Sequence, residues 1–172
     1  MHLFLTGYIQ VGKSTALRRF LKDSGISADG FLTEFDSRGA VRRLYLKRFD
    51  TEARRDYNDM RLVAEVGPGG MRPYPEAFDT FGVDCIASAG KRRVILMDEL
   101  GLIEEDSPLF KEAVLRRLDG GIPVVGVVKM RESPFLDAVR AHPDVEAITV
   151  TLENRDGIPA LLAERAGRCR VV

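Results

Sequence analysis

The sequence predicts a three-layer α/β protein: a mainly parallel sheet with helices on both faces and one inserted antiparallel hairpin. Three observations predict it. Short apolar runs at residues 3–5, 94–97, 122–128 and 145–150 alternate with segments of helical period. The first run leads straight into Gly7-Tyr8-Ile9-Gln10-Val11-Gly12-Lys13-Ser14, which has the spacing G-x-x-x-x-G-K-[ST]. The second ends in Asp98 and Glu99, two acids at the C-terminal edge of a buried strand.

Leu3, Phe4 and Leu5 read as that first strand, and Leu17, Phe20 and Leu21 give helical spacing through residues 15–22. Strand, glycine loop and helix in this order are the context a phosphate-binding loop requires. Backbone N–H groups of such a loop wrap phosphate oxygens, and the helix that begins there adds the positive end of its dipole. Gly7 and Gly12 permit backbone angles and a close approach that a Cβ blocks. Lys13 reaches the β and γ phosphates as a point charge, and the Ser14 hydroxyl is placed to ligate Mg²⁺. The nucleotide-binding set is Gly7, Tyr8, Ile9, Gln10, Val11, Gly12, Lys13, Ser14 and Thr15.

Asp23-Ser24-Gly25 stops the first helix. Residues 30–36 and 41–49, joined by Ser37-Arg38-Gly39, form the predicted hairpin. Its Arg42, Arg43, Lys47 and Arg48 either lie over an anionic ligand or form a solvated face. Residues 51–58 read as loop or a short exposed helix, residues 61–66 as a further strand, and residues 67–75 as an extended loop rich in Gly and Pro. Residues 76–89 have helical spacing in Phe78, Phe81, Ile86 and Ala89. Arg92 and Arg93 lead into the strand whose Asp98 is expected to hold the metal beside Ser14, with Glu99 placed to orient or deprotonate water. Ser107-Pro108 and Ser133-Pro134 each open a helix, with serine as N-cap and proline at the first position. Residues 145–150 are the last strand and 156–165 the last helix. Right-handed crossovers then bring the glycine loop and the two acids to one rim.

A chain of 172 residues suits one domain, residues 1–172. Lys and Arg number 26, as do Asp and Glu, and a net charge of zero argues against holding nucleic acid by bulk charge. No apolar run reaches the length of a membrane span, and the N-terminus enters the first strand directly, so a cytoplasmic location is expected. Cys85 and Cys169 lack metal-ligand spacing and read as plain thiols; His2 and His142 make no metal pair.

Four runs of residues resemble the cancer-related nucleoside-triphosphatase family of small phosphate-loop (P-loop) proteins, across nearly the whole chain. They are the strand and loop from Phe4 through Thr15, then Gly30-Phe31-Leu32-Thr33, then Asp98-Glu99-Leu100-Gly101-Leu102-Ile103-Glu104 followed by Phe110, and Thr151-Leu152-Glu153-Asn154-Arg155-Asp156. The third is similar to that family's D-E-[IL]-G-x-M-E run, and the fourth to its T-x-x-N-R-[DN]. The resemblance implies the P-loop NTPase fold. It implies Mg²⁺-dependent hydrolysis of nucleoside triphosphates such as ATP or GTP to diphosphates, with broad base tolerance. It implies Glu99 as the water-activating residue and Glu104 as a support for the metal or the loop. The sequence departs from the family's G-x-P-G-x-G-K-T at Ile9 and Gln10, so either Gln10 takes up the backbone angles of the family glycine or the loop differs locally. Leu102 and Ile103 stand where lysine and methionine are common, marking a divergent branch.

Asn154 and Arg155 either contact the base or cap the last helix. Lys129 and Arg131 follow a core strand, where a cis arginine can stabilise γ-phosphate charge; solvated surface residues are the alternative. The function expected is a nucleoside-triphosphatase with Lys13 and Glu99 catalytic and Ser14 and Asp98 on the metal. A small-molecule or nucleoside kinase on the same scaffold, or a non-hydrolysing regulatory module, are the alternatives. No protein partner or oligomeric state is specified by the residues.

Overall fold

The computed structural model describes residues 1–51, 60–90 and 94–168. The charged stretch 52–58, Arg92, Arg93 and Cys169 lie outside the described residues. One eight-stranded sheet organises the molecule, from β1 (His2–Thr6), β2 (Ala28–Asp36), β3 (Arg42–Asp50), β4 (Met60–Gly67), β5 (Gly70–Pro73), β6 (Val94–Leu100), β7 (Val124–Val128) and β8 (Val145–Thr149). Its strand order is β5-β4-β3-β2-β6-β7-β1-β8. The pairs β2–β6, β6–β7, β7–β1 and β1–β8 are parallel, while β2–β3, β3–β4 and β4–β5 are antiparallel.

Side-chain alternation along the strands divides the core in two. Leu3 and Leu5 face α1 (Lys13–Ser24) and α5 (Ile158–Arg168), joined by Leu17, Phe20, Leu96, Val127 and Leu162. Phe4 points the other way, into a cluster with Phe31, Met97, Phe110, Val114 and Leu136 under α2 (Val83–Ser88), α3 (Pro108–Leu118) and α4 (Pro134–Ala141). These are the helix, sheet and helix layers expected. β2 and β6 pack so closely that a Cβ on Gly30 would lie 2.1 Å from the Leu96 carbonyl oxygen.

Two local readings need correction. The predicted extended loop at 67–75 holds a strand: Gly67 pairs with Gly70 and Ala64 with Pro73, so the inserted hairpin is one arm of a four-stranded antiparallel meander. The predicted helix at 76–89 is present as one helical run over 76–88, with a π-helical turn at Phe78–Gly82 leading without a break into α2. Thr80 donates its hydroxyl to the Glu76 carbonyl at 2.8 Å, a side-chain bond to the turn below that bends helices, and Gly82 has Phe110 where a Cβ would go. Ser107 does not cap α3. Its hydroxyl donates to Pro75 O at 2.9 Å, and the Phe110 N–H goes to Asp79 Oδ1 at 2.9 Å. Ser133 does cap α4, accepting from the Leu136 N–H at 3.2 Å.

Three of the four basic residues singled out in the hairpin are matched by acids. Arg43 pairs with Glu65 at 3.1 Å, Lys47 with Glu34 at 2.8 Å and Arg48 with Asp84 at 2.5 Å, while Arg42 lies over the Phe35 ring. This is the solvated, ion-paired face rather than a cradle for an anion. Cys85 is buried in the core under α2. Among the described residues no helix is long and apolar enough to cross a membrane.

Candidate active site

β1, β6, β7 and β8 run parallel, so their C-terminal ends share one rim. The loop between β1 and α1 sits there. Gly7, Gln10 and Gly12 all have positive φ, at 135°, 62° and 104°. At Gly7 a Cβ would lie 2.4 Å from the Val150 carbonyl oxygen, so only glycine lets the loop start against the end of β8. Gln10 takes left-handed backbone angles. Val11 is buried in the α1 core, while Tyr8 and Ile9 are exposed, 80% and 74% accessible. Tyr8 is therefore neither core nor loop packing, whereas Phe31 is fully buried against Phe110. Thr15 is exposed on the first turn of α1.

Lys13 is buried, and its Nζ donates to Gly7 O at 3.0 Å and to Tyr8 O at 2.8 Å. Burial lowers its pKa from the usual 10.5, opposed by the nearby Glu99. Ser14, one residue on, turns to the sheet. Alternation in β6 puts Asp98 on the same side as Val94 and Leu96, the side facing α1. The two meet: Ser14 Oγ donates to Asp98 Oδ1 at 2.8 Å. Asp98 is 2% exposed, and its loss of water raises its pKa, against the lowering effect of the Ser14 bond.

This pair fits a hard divalent cation, because both donors are oxygen and desolvation raises the carboxyl's pKa even with Arg18 and Lys13 nearby, so a further positive charge would favour its ionised form. Among the described residues no cluster of three or more His, Cys, Asp or Glu could hold a metal. A hydroxyl and one carboxylate, completed by phosphate oxygens and water, is the donor set Mg²⁺ prefers.

Glu99 is the extra residue of a bulge. Asp98 pairs with Val127 and Leu100 with Val128, leaving Glu99 unmatched in the ladder and its side chain free to leave the core pattern. It points to Lys129, whose Nζ lies 2.9 Å from Glu99 Oε1. Glu104, on a 3₁₀ turn at Ile103–Asp106, is 2% exposed and accepts from the Gly101 N–H at 3.1 Å. Desolvation raises its pKa to about 7. Its direct contact is with the loop after β6.

In the run after β8, Asn154 bonds within its own loop. Asn154 Oδ1 accepts from the Thr151 N–H at 2.8 Å, Asn154 Nδ2 donates to Thr149 O at 2.9 Å, and Thr151 Oγ1 accepts from the Asn154 N–H at 3.3 Å. Asn154 thus folds its own loop and does not cap α5. That loop delivers Arg155 to the glycine loop, with its Cδ 3.8 Å from where a Cβ on Gly12 would stand. Arg140 is the residue the sequence did not flag: it donates to the carbonyls of Lys129 and Arg131, at 2.6 and 2.8 Å. Backbone carbonyls leave no residue-type signal, so nothing in the sequence marked it.

Comparison with known proteins agrees with this geometry. A family model described as NTPase matches residues 2–163. The nucleoside-triphosphatase THEP1 of Thermofilum pendens is 32% identical over 170 residues, covering 94% of this chain and 93% of that protein. The cancer-related nucleoside-triphosphatase of Homo sapiens is 30% identical over 178 residues, covering 90% of each. The crystal structure of THEP1 from Aquifex aeolicus superposes with a TM-score of 0.74 at 25% identity, covering 94% of this chain and 96% of that one.

Proposed function

The chain belongs to the NTPase family and is a nucleoside-triphosphatase, and we propose that it performs this hydrolysis with Mg²⁺ and broad base tolerance at the rim just described. The observation that carries the reading is the Ser14–Asp98 hydrogen bond at the foot of the glycine loop, with Glu99 the next residue along.

The substrate is a nucleoside triphosphate, with ATP and GTP as the first to test. Loop amides from Gly7 to Thr15 wrap its phosphates, and Lys13 exchanges the carbonyls of Gly7 and Tyr8 for β- and γ-phosphate oxygens. Ser14 and Asp98 would hold Mg²⁺, which would supply positive charge to the triphosphate when bound. Glu99 accepts a hydrogen bond from water and aligns it behind the γ phosphorus. Glu104 keeps the Gly101 turn, and so the end of β6, in place. Arg155 lies where it can stack on or contact the base, and the exposed Asn154 holds the loop that carries it.

Phosphate release from several nucleoside triphosphates, with and without Mg²⁺, tests the proposal. Lys13→Ala removes a charge-assisted contact of about 1.5–3 kcal/mol and is expected to lower kcat/KM at least roughly tenfold. Glu99→Gln is expected to spare nucleotide binding and lower kcat. Tight binding without release in the unaltered protein would move the assignment to the kinase or the regulatory module. Unchanged kcat in Glu99→Gln would place the base elsewhere.

A further inference from the structure

β7 lies between β1 and β6, so the residue after it emerges between the glycine loop and the two acids. That residue is Lys129. Its backbone is fixed on both sides: the N–H donates to Leu100 O at 3.0 Å, and the carbonyl accepts from Arg140 Nη1 at 2.6 Å. A second nitrogen of Arg140 braces Arg131 O, so one guanidinium clamps the turn. Gly101 makes room for the lysine stem, since a Cβ there would lie 3.1 Å from Lys129 Cδ and 3.3 Å from its Nζ. The Nζ is thereby delivered 2.9 Å from Glu99 Oε1.

Two lysines converge on this site from neighbouring strands. Lys13 enters from β1 and Lys129 from β7, two strands that pair in parallel and end at the same rim. A turn braced to bring a second cation toward the first is suited to an anion carrying more charge than one carboxylate. The Lys129–Glu99 pair is itself partly solvated, 37% and 24% exposed, and pairs of that kind are weak and readily exchanged.

We propose that Lys129 is a second phosphate-binding lysine. It gives up Glu99 for the γ-phosphate oxygens of a nucleoside triphosphate, and Glu99 is thereby released to orient water. The proposal rests on the triphosphatase reading for the identity of that phosphate. It makes Lys129 specific for the terminal group, because a diphosphate has no γ oxygens for it to meet.

The test measures binding of a non-hydrolysable triphosphate analogue and of the matching diphosphate, together with kcat and KM, in the unaltered protein, Lys129→Met and Lys129→Arg. Lys129→Met is expected to lose about tenfold in triphosphate affinity with diphosphate affinity unchanged, and about tenfold to a hundredfold in kcat. Lys129→Arg is expected to recover most of both, since the charge is kept. Equal losses for triphosphate and diphosphate, or an unaltered kcat in Lys129→Met, would overturn the assignment. An unaltered protein that releases no phosphate would instead sink the triphosphatase reading, and the two binding constants would still decide whether Lys129 reads the terminal phosphate.

Discussion

Gln10 sits at a φ of 62°, a conformation that costs a residue with a Cβ roughly 1–2 kcal/mol. Its neighbours Gly7 and Gly12 have positive φ at no such cost. Strain of this kind persists at ligand-binding loops because the surrounding structure enforces it. Gln10→Gly is expected to raise folding stability by about 1 kcal/mol in urea unfolding, with nucleotide affinity equal or higher. A less stable variant would mean that the glutamine side chain does something for the loop that its φ does not show. Glu104 presents a titration argument. Its folded pKa of about 7 lies above the ordinary 4.5, so the folded protein keeps a proton that the unfolded chain has released. Stability from this group is complete below the unfolded value and is lost as pH rises through the folded one. Glu104→Gln keeps an acceptor for the Gly101 N–H and cannot ionise. Without nucleotide, the variant is expected to gain on the unaltered protein as pH rises from 4.5 to about 7, by about 2–3 kcal/mol in all. Parallel stability curves across that range would show that the carboxyl is not held neutral.

At the scale of elements, legibility followed how local each signal is. The glycine loop was readable because its residues act on their own backbone, and Asp98 because one strand's alternation decides its face. β5 was not readable. Gly70-Met71-Arg72-Pro73 is exposed throughout and carries no apolar period, so it is a strand only because β4 offers it a ladder. The cap of α3 misled for a similar reason: serine before proline is a sound local signal, but Asp79 from another element took the N–H first. The bulge at Glu99 depends on the register with β7, which no single strand encodes. Asn154 read as a contact to the base or a cap of α5, yet its bonds go to Thr151 and Thr149, three and five residues away on its own loop, rather than to α5.

For the whole molecule, the site is a junction of distant chain segments. Lys13 and Ser14 follow β1, Asp98 and Glu99 end β6, Lys129 follows β7, and Arg155 lies beyond β8. A ligand that touches all of them ties together elements that unfold as one, and ligand binding adds RT ln(1 + [L]/Kd) to stability. At a hundredfold excess over Kd, a nucleoside triphosphate with Mg²⁺ is expected to add about 2.7 kcal/mol, or roughly 5–10 °C in melting temperature for a chain of this size. Calorimetry or dye-monitored melting checks this, and in Lys13→Ala the shift at the same ligand concentration should largely disappear. A full shift in that variant would place the nucleotide elsewhere on the protein.

The strand that carries the glycine loop precedes both its neighbours in the sheet by more than a hundred residues of chain. β1 is flanked by β7 and β8, with Leu3 beside Val125 on one side and Glu146 on the other. During synthesis β2 to β6 are all made before β1 has a partner on either edge, and pairings of such separation are slow to close. Competence to grip a triphosphate therefore waits on β7 and β8, which are synthesised long after the loop itself.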